Sequence, residues 1–400
     1  MGCCQAATPI GEAARPLELA DIFRQFGDEL PALTSEQQKA VRDITSCRTA
    51  VLGGHVHQCD HCGHRQEVYH SCRNRHCPKC QSLEQARWLE ARQAELLPVE
   101  YFHVVFTVPD ELKALFLVNR ATCHKLLFAA VAETLKEVAL NPDRLGARIG
   151  FIAVLHTCTQ KLLFHPHVHC IVPGGGLAPD GSQWVSAKPG YLLPVPVLSL
   201  VFRGKLLDKL EKAVHQDEVR LSNKDATTLL QQAARKSWVV YSKSPFAGPE
   251  QVLRYLGRYT HRTAISNDRL VQMSGRQVTF RYKDRADDNK TKLLTLDAVE
   301  FLRRFLLHVL PSGFVSIRYY GLLAHGIKQQ RIALCRQLLG ATDEAATPDS
   351  IAETWQELLL RLTGIDVTRC PTCNTGHMAP LYRIPATVRR WHLRGRATSS

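Results

Sequence analysis

The stretch FHPHVHCIVPGGGL, residues 164–177, places histidines at every second position and ends in a run of glycines. Apolar residues fill most of the alternate positions, so the pattern predicts a β-strand bounded by a glycine turn. Residues two apart in a strand share one face of the sheet. His165, His167 and His169 are therefore expected to point to the same side, where they could bind a metal ion or act on a phosphate.

Two kinds of enzyme use histidines in such a strand. In the histidine-triad nucleotide hydrolases, which the segment HPHVHCIV resembles, one histidine is the nucleophile and no metal is needed. In the HUH nucleases, two histidines around one hydrophobic residue, here His167 and His169 around Val168, hold a divalent ion. Those nucleases also need a tyrosine nucleophile on a helix, so the rest of the sequence has to decide between the two.

The segment LRYLGRYTHR supplies tyrosines on a predicted helix. Tyr255 and Tyr259 lie four residues apart, which puts both hydroxyls on one helix face. Arginines repeat the same spacing on an adjacent stripe, about 100° round the helix, and guanidinium groups bind phosphates well: Arg254, Arg258 and Arg262. A phenol with a pKa of about 10 is a weak nucleophile, but a metal that polarises the scissile phosphate makes its attack feasible.

The motif CDHCGHRQEVYHSCRNRHCPKC, which begins at residue 59, contains two Cys-x2-Cys pairs. This spacing is typical of a tetrahedral zinc site. Zinc would also supply folding free energy that such a small polar segment cannot obtain from burial. The sequence therefore predicts one structural zinc site with four thiolate ligands: Cys59, Cys62, Cys77 and Cys80.

Other potential ligands leave alternative sets or a second metal open. The same segment also contains several further side chains of the right type: Cys72, His61, His64, His70 and His76. Near the C-terminus, Cys370 and Cys373 form another Cys-x2-Cys pair without a second pair in the neighbouring sequence, although His377 lies close to them. That pair is a candidate for a second zinc site, and two ordinary thiols are the alternative.

Composition indicates a globular protein with a polyanionic partner. The 400 residues include 51 Lys and Arg against 37 Asp and Glu, a net charge of +14, and nucleic acid is the commonest polyanion. No run approaches the roughly 18 apolar residues that a membrane helix needs. The first residues show no secretory signal, so the cytoplasm is expected. The 14 cysteines then indicate metal ligation or reduced thiols rather than disulfides.

Predicted strands and helices alternate irregularly through the middle of the chain, and antiparallel hairpins such as QVTFRYKD with KTKLLTLD indicate an α+β fold. Four regions are predicted. They are a helical lead-in at 1–48, a zinc-binding domain at 49–97, a domain with the histidine strand and the tyrosine helix at 98–305, and a helical C-terminal region with the second cysteine pair at 306–400.

Several motifs occur together in one order: CDHCG, YHSCRNRHCPKCQ, VLHTCTQ, HPHVHCIVPGGGL, YLGRYTHRTAISNDRL, IRYYGLLAH and TGIDVTRCPTC. In these the chain closely resembles the rolling-circle transposases of insertion-sequence family ninety-one, members of the HUH endonuclease superfamily. The resemblance spans roughly residues 20–375. It implies an N-terminal zinc-binding domain followed by an HUH domain, in which helices flank a central antiparallel sheet.

The resemblance also implies the chemistry. His167 and His169 would be ligands of a catalytic Mg²⁺ or Mn²⁺, and Tyr255 and Tyr259 the nucleophile pair. Independently of the resemblance, Tyr255 is predicted here to make the first cut. The substrate would be single-stranded DNA at transposon ends. Cleavage would leave a 5′-phosphotyrosine and a 3′-hydroxyl from which the host replication machinery extends, and the held end would be joined to target DNA.

The third ligand of the catalytic ion has three candidates. His156 lies eleven residues before His167, a spacing similar to that of the upstream histidine in conjugative relaxases, and it is the one predicted here. Gln160 and His261 are its competitors. With the ligands assigned in this way, His165 would support a ligand or contact DNA.

Two other functions remain as alternatives. A histidine-triad hydrolase would use the three histidines of the strand on mononucleotides and would need neither the cysteine motif nor the tyrosine helix. A non-enzymatic, zinc-dependent DNA-binding protein would explain the charge and the cysteines but not the histidine strand. The sequence does not define the oligomeric state or the DNA sequences recognised.

Overall fold

The computed structural model describes residues 15–80, 82–221, 226–243, 251, 257, 264–341 and 353–387. Within these ranges the α-helices are α1 (Leu19–Phe26), α2 (Ser35–Ser46), α3 (Ser82–Gln93), α4 (Lys113–Val118), α5 (Arg120–Leu140), α6 (Val195–His215), α7 (Ala226–Ala234), α8 (Ala298–Leu306), α9 (Lys328–Leu338) and α10 (Trp355–Thr363). No helix in these ranges combines the length and the apolar character needed to cross a lipid bilayer.

The strands fall into four sheets. Their bounds are β1 (Gly54–Cys59), β2 (Arg65–Tyr69), β3 (Tyr101–Thr107), β4 (Gly150–Cys158), β5 (Phe164–Pro173), β6 (Gly175–Leu177), β7 (Trp184–Ser186), β8 (Val240–Lys243), β9 (Leu270–Ser274), β10 (Gln277–Asp284), β11 (Lys290–Asp297), β12 (Ile317–Gly321) and β13 (Met378–Ile384). Helices and antiparallel sheets are mixed along the chain, which confirms the predicted α+β class.

The histidine strand β5 lies in the middle of the largest sheet, whose strand order is β12-β4-β5-β3-β8. All of its neighbouring strands pair antiparallel. Alternate residues of β5 pack on opposite sides. Val168 and Cys170 join the core formed with α5 and α6, whereas Ile171 joins the core on the other side. The alternation seen in the sequence therefore places the histidines on the face that carries Ile171.

Helices α3 and α9 cover this histidine-bearing face. Trp88 and Leu89 of α3 pack against the buried cluster that includes Val154 and Ile171, and Ile332 of α9 belongs to the same cluster. Trp88 also donates a 2.9 Å hydrogen bond from its indole nitrogen to the hydroxyl of Tyr319 on β12. Helix α3 is thereby fixed across the sheet beside the histidines.

The N-terminal helices share a core with residues much later in the chain. Phe23 of α1 meets Phe305 of α8 edge to face, with ring centroids 5.8 Å apart. Both belong to a buried cluster that also includes Val278 and Phe280 of the β9–β11 sheet. The lead-in is therefore packed against the distal part of the chain.

A small sheet pairs the first two strands with the last strand of the described chain. Its order is β13-β1-β2, with Gly54 opposite Ile384 and Cys59 opposite Met378. Residues 306–400, predicted as a helical region, thus also contribute the strands β12 and β13. Their pairing partners are distant in sequence, so no local pattern marked them. The domain limits at residues 48, 97 and 305 stay a prediction.

Candidate metal centres

Three histidines from adjacent strands converge on one point of the central sheet. The antiparallel register sets His156 of β4 opposite His167 of β5, and Val154 opposite His169. Nδ1 of His156 lies 3.1 Å from Nε2 of His167, and the rings of His167 and His169 have centroids 4.7 Å apart. Each of the three histidines offers one nitrogen within 4.8 Å of the others. Because nitrogen ligands lie about 2.1 Å from a transition metal, two of them at one ion are roughly 3 Å apart, so the grouping fits a metal site.

Hydrogen bonds orient each imidazole. Nδ1 of His167 donates to the carbonyl oxygen of His165 over 2.6 Å, so Nε2 would be its ligand atom. Nδ1 of His169 and Nε2 of His103 share a 2.8 Å hydrogen bond, and the two rings are stacked 5.0 Å apart. Nε2 of His156 contacts the Cys158 sulfur at 3.3 Å. Fixing one ring nitrogen in this way is how proteins direct the other toward a metal.

The electrostatics of the cluster favour neutral rings. Burial lowers the pKa of His156 to about 3, and it lowers the pKa of His167 and of His169 well below the usual value. Neutral imidazole is the form that binds metal, so these side chains do not need to lose a proton at pH 7. Among the described residues no carboxylate joins the group. Three neutral ligands leave a divalent cation its full charge and open positions for an anionic substrate.

The structure places the other predicted residues of this centre as follows. His165 is half-buried, and its ring centroid lies 5.4 Å from that of His167. The side-chain oxygen of Gln160 accepts a 3.5 Å hydrogen bond from the backbone of Lys283 on β10. The remaining predicted residues lie outside the described ranges: Tyr255, Tyr259, Arg254, Arg258, Arg262 and His261.

One described residue lies between the two tyrosines in sequence. The carbonyl of Gly257 accepts a hydrogen bond from the side chain of Gln85 on α3. A Cβ at position 257 would come within 2.9 Å of both Cδ atoms of Leu89. Gly257 therefore contacts the helix that covers the histidine-bearing face.

Sequence reasoning missed His103. It lies on β3, where Val105 is opposite His169, so positions 103 and 105 share the face that carries the metal-site histidines. It is an ionisable residue within the mostly apolar run YFHVVFTV, and this was the sequence feature that could have pointed to a functional role. Its partner could not be identified before the register of β3 and β5 was known.

The cysteines form two clusters rather than the predicted single site. Cys77 and Cys80 lie with Cys47 and Cys72, whereas Cys59 and Cys62 lie with a different pair. The predicted grouping of Cys59, Cys62, Cys77 and Cys80 is therefore wrong. The cause is β2, whose five residues span roughly 17 Å and separate the turn of the β1–β2 hairpin from its open end. Cys59 and Cys62 lie at the turn, and the chain preceding β1 brings Cys47 to the open end.

The cluster at the open end has the geometry of a tetrathiolate zinc site. Sγ of Cys80 lies 3.6 Å from that of Cys47 and 3.7 Å from that of Cys72. With zinc–sulfur bonds of about 2.3 Å, sulfurs at the corners of a tetrahedron are about 3.8 Å apart. A disulfide would instead need about 2.05 Å. Backbone N–H groups of Cys72 and Asn74 donate to the sulfurs of Cys47 and Cys72, which favours thiolates.

Family models match two regions of the chain. A family described as "Putative transposase" (Y2_Tnp) matches residues 150–331, and a "Transposase zinc-binding domain" (Zn_Tnp_IS91) matches residues 19–108. The "Putative transposase y4qJ" of Sinorhizobium fredii is 50% identical over 373 residues, covering 90% of this chain and 94% of the relative. The "Transposase for insertion sequence element IS801" of Pseudomonas savastanoi pv. phaseolicola is 27% identical over 351 residues, covering 84% and 81%.

Among solved structures, the metal-bound conjugative relaxase TrwC in complex with OriT DNA is 14% identical, covering 62% of this chain and 96% of that chain, with a TM-score of 0.24. A score of this size does not establish a common fold.

Proposed function

Because this chain belongs to the IS91 family of transposases, we propose that it cuts and rejoins single-stranded DNA at the ends of a transposable element by tyrosine transesterification. The observation that carries the proposal is the convergence of His156, His167 and His169. Rolling-circle transposition would follow, since the cut leaves a 3′-hydroxyl that the host replication machinery can extend.

The three histidines are proposed as the ligands of the catalytic Mg²⁺ or Mn²⁺. A divalent cation held there would neutralise charge on the scissile phosphate. Other groups of the chain orient the three rings. The carbonyl of His165 contacts His167, the imidazole of His103 contacts His169, and the sulfur of Cys158 contacts His156. The chain also contributes a low-dielectric site, where an ion and a phosphate interact more strongly than in water.

Tyr255 and Tyr259 are proposed as the nucleophiles. The contact of Gly257 with Leu89 and Gln85 supports this role, because α3 lies on the histidine-bearing face. The tyrosine oxygen would form a bond to phosphorus while the bond from phosphorus to the 3′ oxygen breaks. The phenolic proton would pass, in net terms, to the 3′-hydroxyl, and the 5′-phosphotyrosine would retain the bond energy for joining to target DNA.

Phosphate binding beside the tyrosines is proposed for the arginines that share their segment: Arg254, Arg258 and Arg262. His165 is proposed to position His167 through its carbonyl oxygen and to contact the DNA through its half-buried ring. A structural zinc ion is proposed for Cys47, Cys72, Cys77 and Cys80, whose sulfurs have tetrahedral spacing. This cluster belongs to the zinc-binding domain shown by the family match.

The grouping of the histidines also bears on the alternative functions. A histidine-triad hydrolase would use His165 together with His167 and His169. The cluster instead recruits His156 from the neighbouring strand, and His165 is outside it. This favours a metal centre over a triad that acts without metal. A protein that only binds DNA would not require the three imidazoles to converge.

The test is formation of a covalent protein–DNA adduct. Purified protein is mixed with labelled single-stranded DNA carrying an element end and Mn²⁺, and the products are separated on denaturing gels. We expect an adduct that is lost in the Tyr255→Phe/Tyr259→Phe variant and in His167→Ala. Tyr382→Phe, an exposed tyrosine on β13, is the matched control and should leave the yield unchanged. An adduct that persists in the double variant contradicts the tyrosine assignment.

A further inference from the structure

A second cluster of four thiols lies between the β1–β2 hairpin and the segment that precedes β13. Cys59 and Cys62 lie at the turn of the β1–β2 hairpin, and Cys370 and Cys373 precede β13. Sγ of Cys59 is 3.7 Å from Sγ of Cys373, and the same distance separates Sγ of Cys62 from Sγ of Cys370. All four sulfurs lie within 4.8 Å of one another. The two 3.7 Å distances are close to a tetrahedral zinc–thiolate edge of about 3.8 Å and are far too long for disulfides.

The two Cys-x2-Cys turns share one backbone feature. The residue after the second cysteine has a positive φ in both, +72° at Gly63 and +56° at Asn374. In each turn a backbone N–H also donates to the first or second sulfur at 3.4 Å, from Cys62 to Cys59 and from Gly376 to Cys373. Such donors favour the thiolate form, which is the form that binds metal.

Backbone contacts hold the turn that contains Cys59 against the turn that contains Cys373. At Gly376 a Cβ would lie 2.4 Å from the sulfur of Cys59, so only glycine allows this approach. The N–H of His377 donates to Oδ1 of Asp60 over 2.8 Å, and the N–H of Asp60 donates to the carbonyl of His377 over 3.1 Å. The thiols therefore meet inside a hydrogen-bonded interface rather than through chance proximity of surface side chains.

This interface has almost no hydrophobic core. The residues of β2 are exposed or half-buried, as are those of β13. In β1 the buried side chains are those of Val56 and Cys59. A small sheet of this kind does not bury enough apolar surface for stability and needs a cross-link such as a metal.

From this geometry we propose that Cys59, Cys62, Cys370 and Cys373 bind a second structural zinc ion. It fastens the C-terminal segment to the N-terminal zinc-binding domain. Cys370 and Cys373 lie beyond the residues matched by either transposase family, so no comparison assigns this site. The same C-terminal segment reaches α3, where Arg361 of α10 forms a 2.6 Å ion pair with Glu90. The C-terminal segment is thus held to the hairpin by the zinc ion and to α3 by this ion pair.

Zinc stoichiometry tests the proposal without any requirement for DNA cleavage. The count is made by elemental analysis in a His167→Ala/His169→Ala background, which removes the histidine centre. We expect two zinc ions per chain, falling to one in Cys370→Ser/Cys373→Ser and to one in Cys77→Ser/Cys80→Ser. Cys335→Ala, a buried cysteine outside both clusters, should retain two. One zinc per chain before any cysteine is replaced, or an unchanged count without Cys370 and Cys373, overturns the proposal.

A second measurement uses the wild-type chain and does not depend on the folding of a variant. Cys62 is exposed and Cys373 is half-buried, so as ordinary thiols they should react readily with an alkylating agent. We expect mass spectrometry to find both protected until zinc is removed by a chelator. Alkylation of both at full zinc content overturns the proposal. Because neither readout involves a phosphotyrosine, failure here leaves the proposed function untouched, and the reverse also holds.

Discussion

At the scale of single residues, the contact between His103 and His169 bears on the order of the proposed metal centre. The two rings stack, and one hydrogen bond joins them. For Nε2 of His169 to coordinate a metal, its Nδ1 must carry the proton and donate a hydrogen bond to Nε2 of His103. The role proposed for His103 is therefore to select one tautomer and one ring orientation of a metal ligand.

Replacing His103 should weaken metal binding while the fold is retained. In His103→Leu the hydrogen-bond partner of His169 is lost, and we expect Mn²⁺ affinity to fall by about 10- to 100-fold. His103→Gln retains a polar partner and should lose less. Calorimetric titration with Mn²⁺ measures the effect, with His215→Leu, an exposed histidine on α6, as the control. Equal affinity in His103→Leu and the wild type would show that this contact does not orient the ligand.

A different histidine links stability to pH. His124 is 1% exposed and is surrounded by aromatic rings that include Phe116 and Phe314. Burial lowers its pKa to about 3. The unfolded chain takes up the proton below pH 6.5 while the folded chain does not. The free energy of unfolding is therefore lost as the pH falls from 6.5 toward 3, by at most about 1.4 kcal/mol per pH unit from this residue.

The measurement compares urea unfolding of the wild type and His124→Leu at pH 6.5 and pH 5. Other titrating groups and zinc loss act on both proteins, so the difference between the two pH dependences isolates His124. We expect the wild type to lose about 1.6 kcal/mol more than the variant between these pH values. Parallel pH dependences would mean that His124 takes up its proton in the folded protein as easily as in the unfolded chain.

At the scale of elements, Gly257 lies close to α3, and enlarging its side chain tests whether this contact is needed. Gly257→Val places new atoms against Leu89, and overpacking of this kind costs about 1–3 kcal/mol. We expect a lower thermal midpoint and a lower yield of DNA adduct. Adding Leu89→Ala makes room and should recover both. A double variant no better than Gly257→Val would show that the loss has another cause.

The elements also show what sequence could and could not predict. The alternation in β5 predicted a strand with three histidines on one face, because side-chain period is a local property. The neighbouring strand that supplies the third histidine was chosen by resemblance, since register depends on contacts between distant residues. The same limit explains the error in the cysteines. The two-residue spacing identified pairs of cysteines that lie together in the structure. Which other cysteines each pair joins depends on the β1–β2 hairpin, which separates Cys59 and Cys62 from Cys77 and Cys80.

At the scale of the whole molecule, an early and a late part of the chain form one sheet. Removing residues 365–400 deletes β13 together with Cys370 and Cys373. We expect this truncated protein to lose one zinc ion per chain and the β1–β2 hairpin to become a site of rapid trypsin cleavage, because Arg65 lies on an exposed strand. Limited proteolysis with mass spectrometry locates the cut. Resistance of the hairpin in the truncated protein would show that it is stable without its C-terminal partner.

Because β1 pairs with β13, this sheet can form only late in the synthesis of the protein. The sheet cannot form until Ile384, the residue opposite Gly54 and 330 positions later, has been synthesised. At about 5–20 residues per second the wait is roughly 20 seconds to one minute. Throughout that interval β1 presents an unpaired edge and Cys59 and Cys62 have no partner turn. A chain that terminates early never leaves this condition, so we expect cellular proteases to discriminate between incomplete and finished products by this edge.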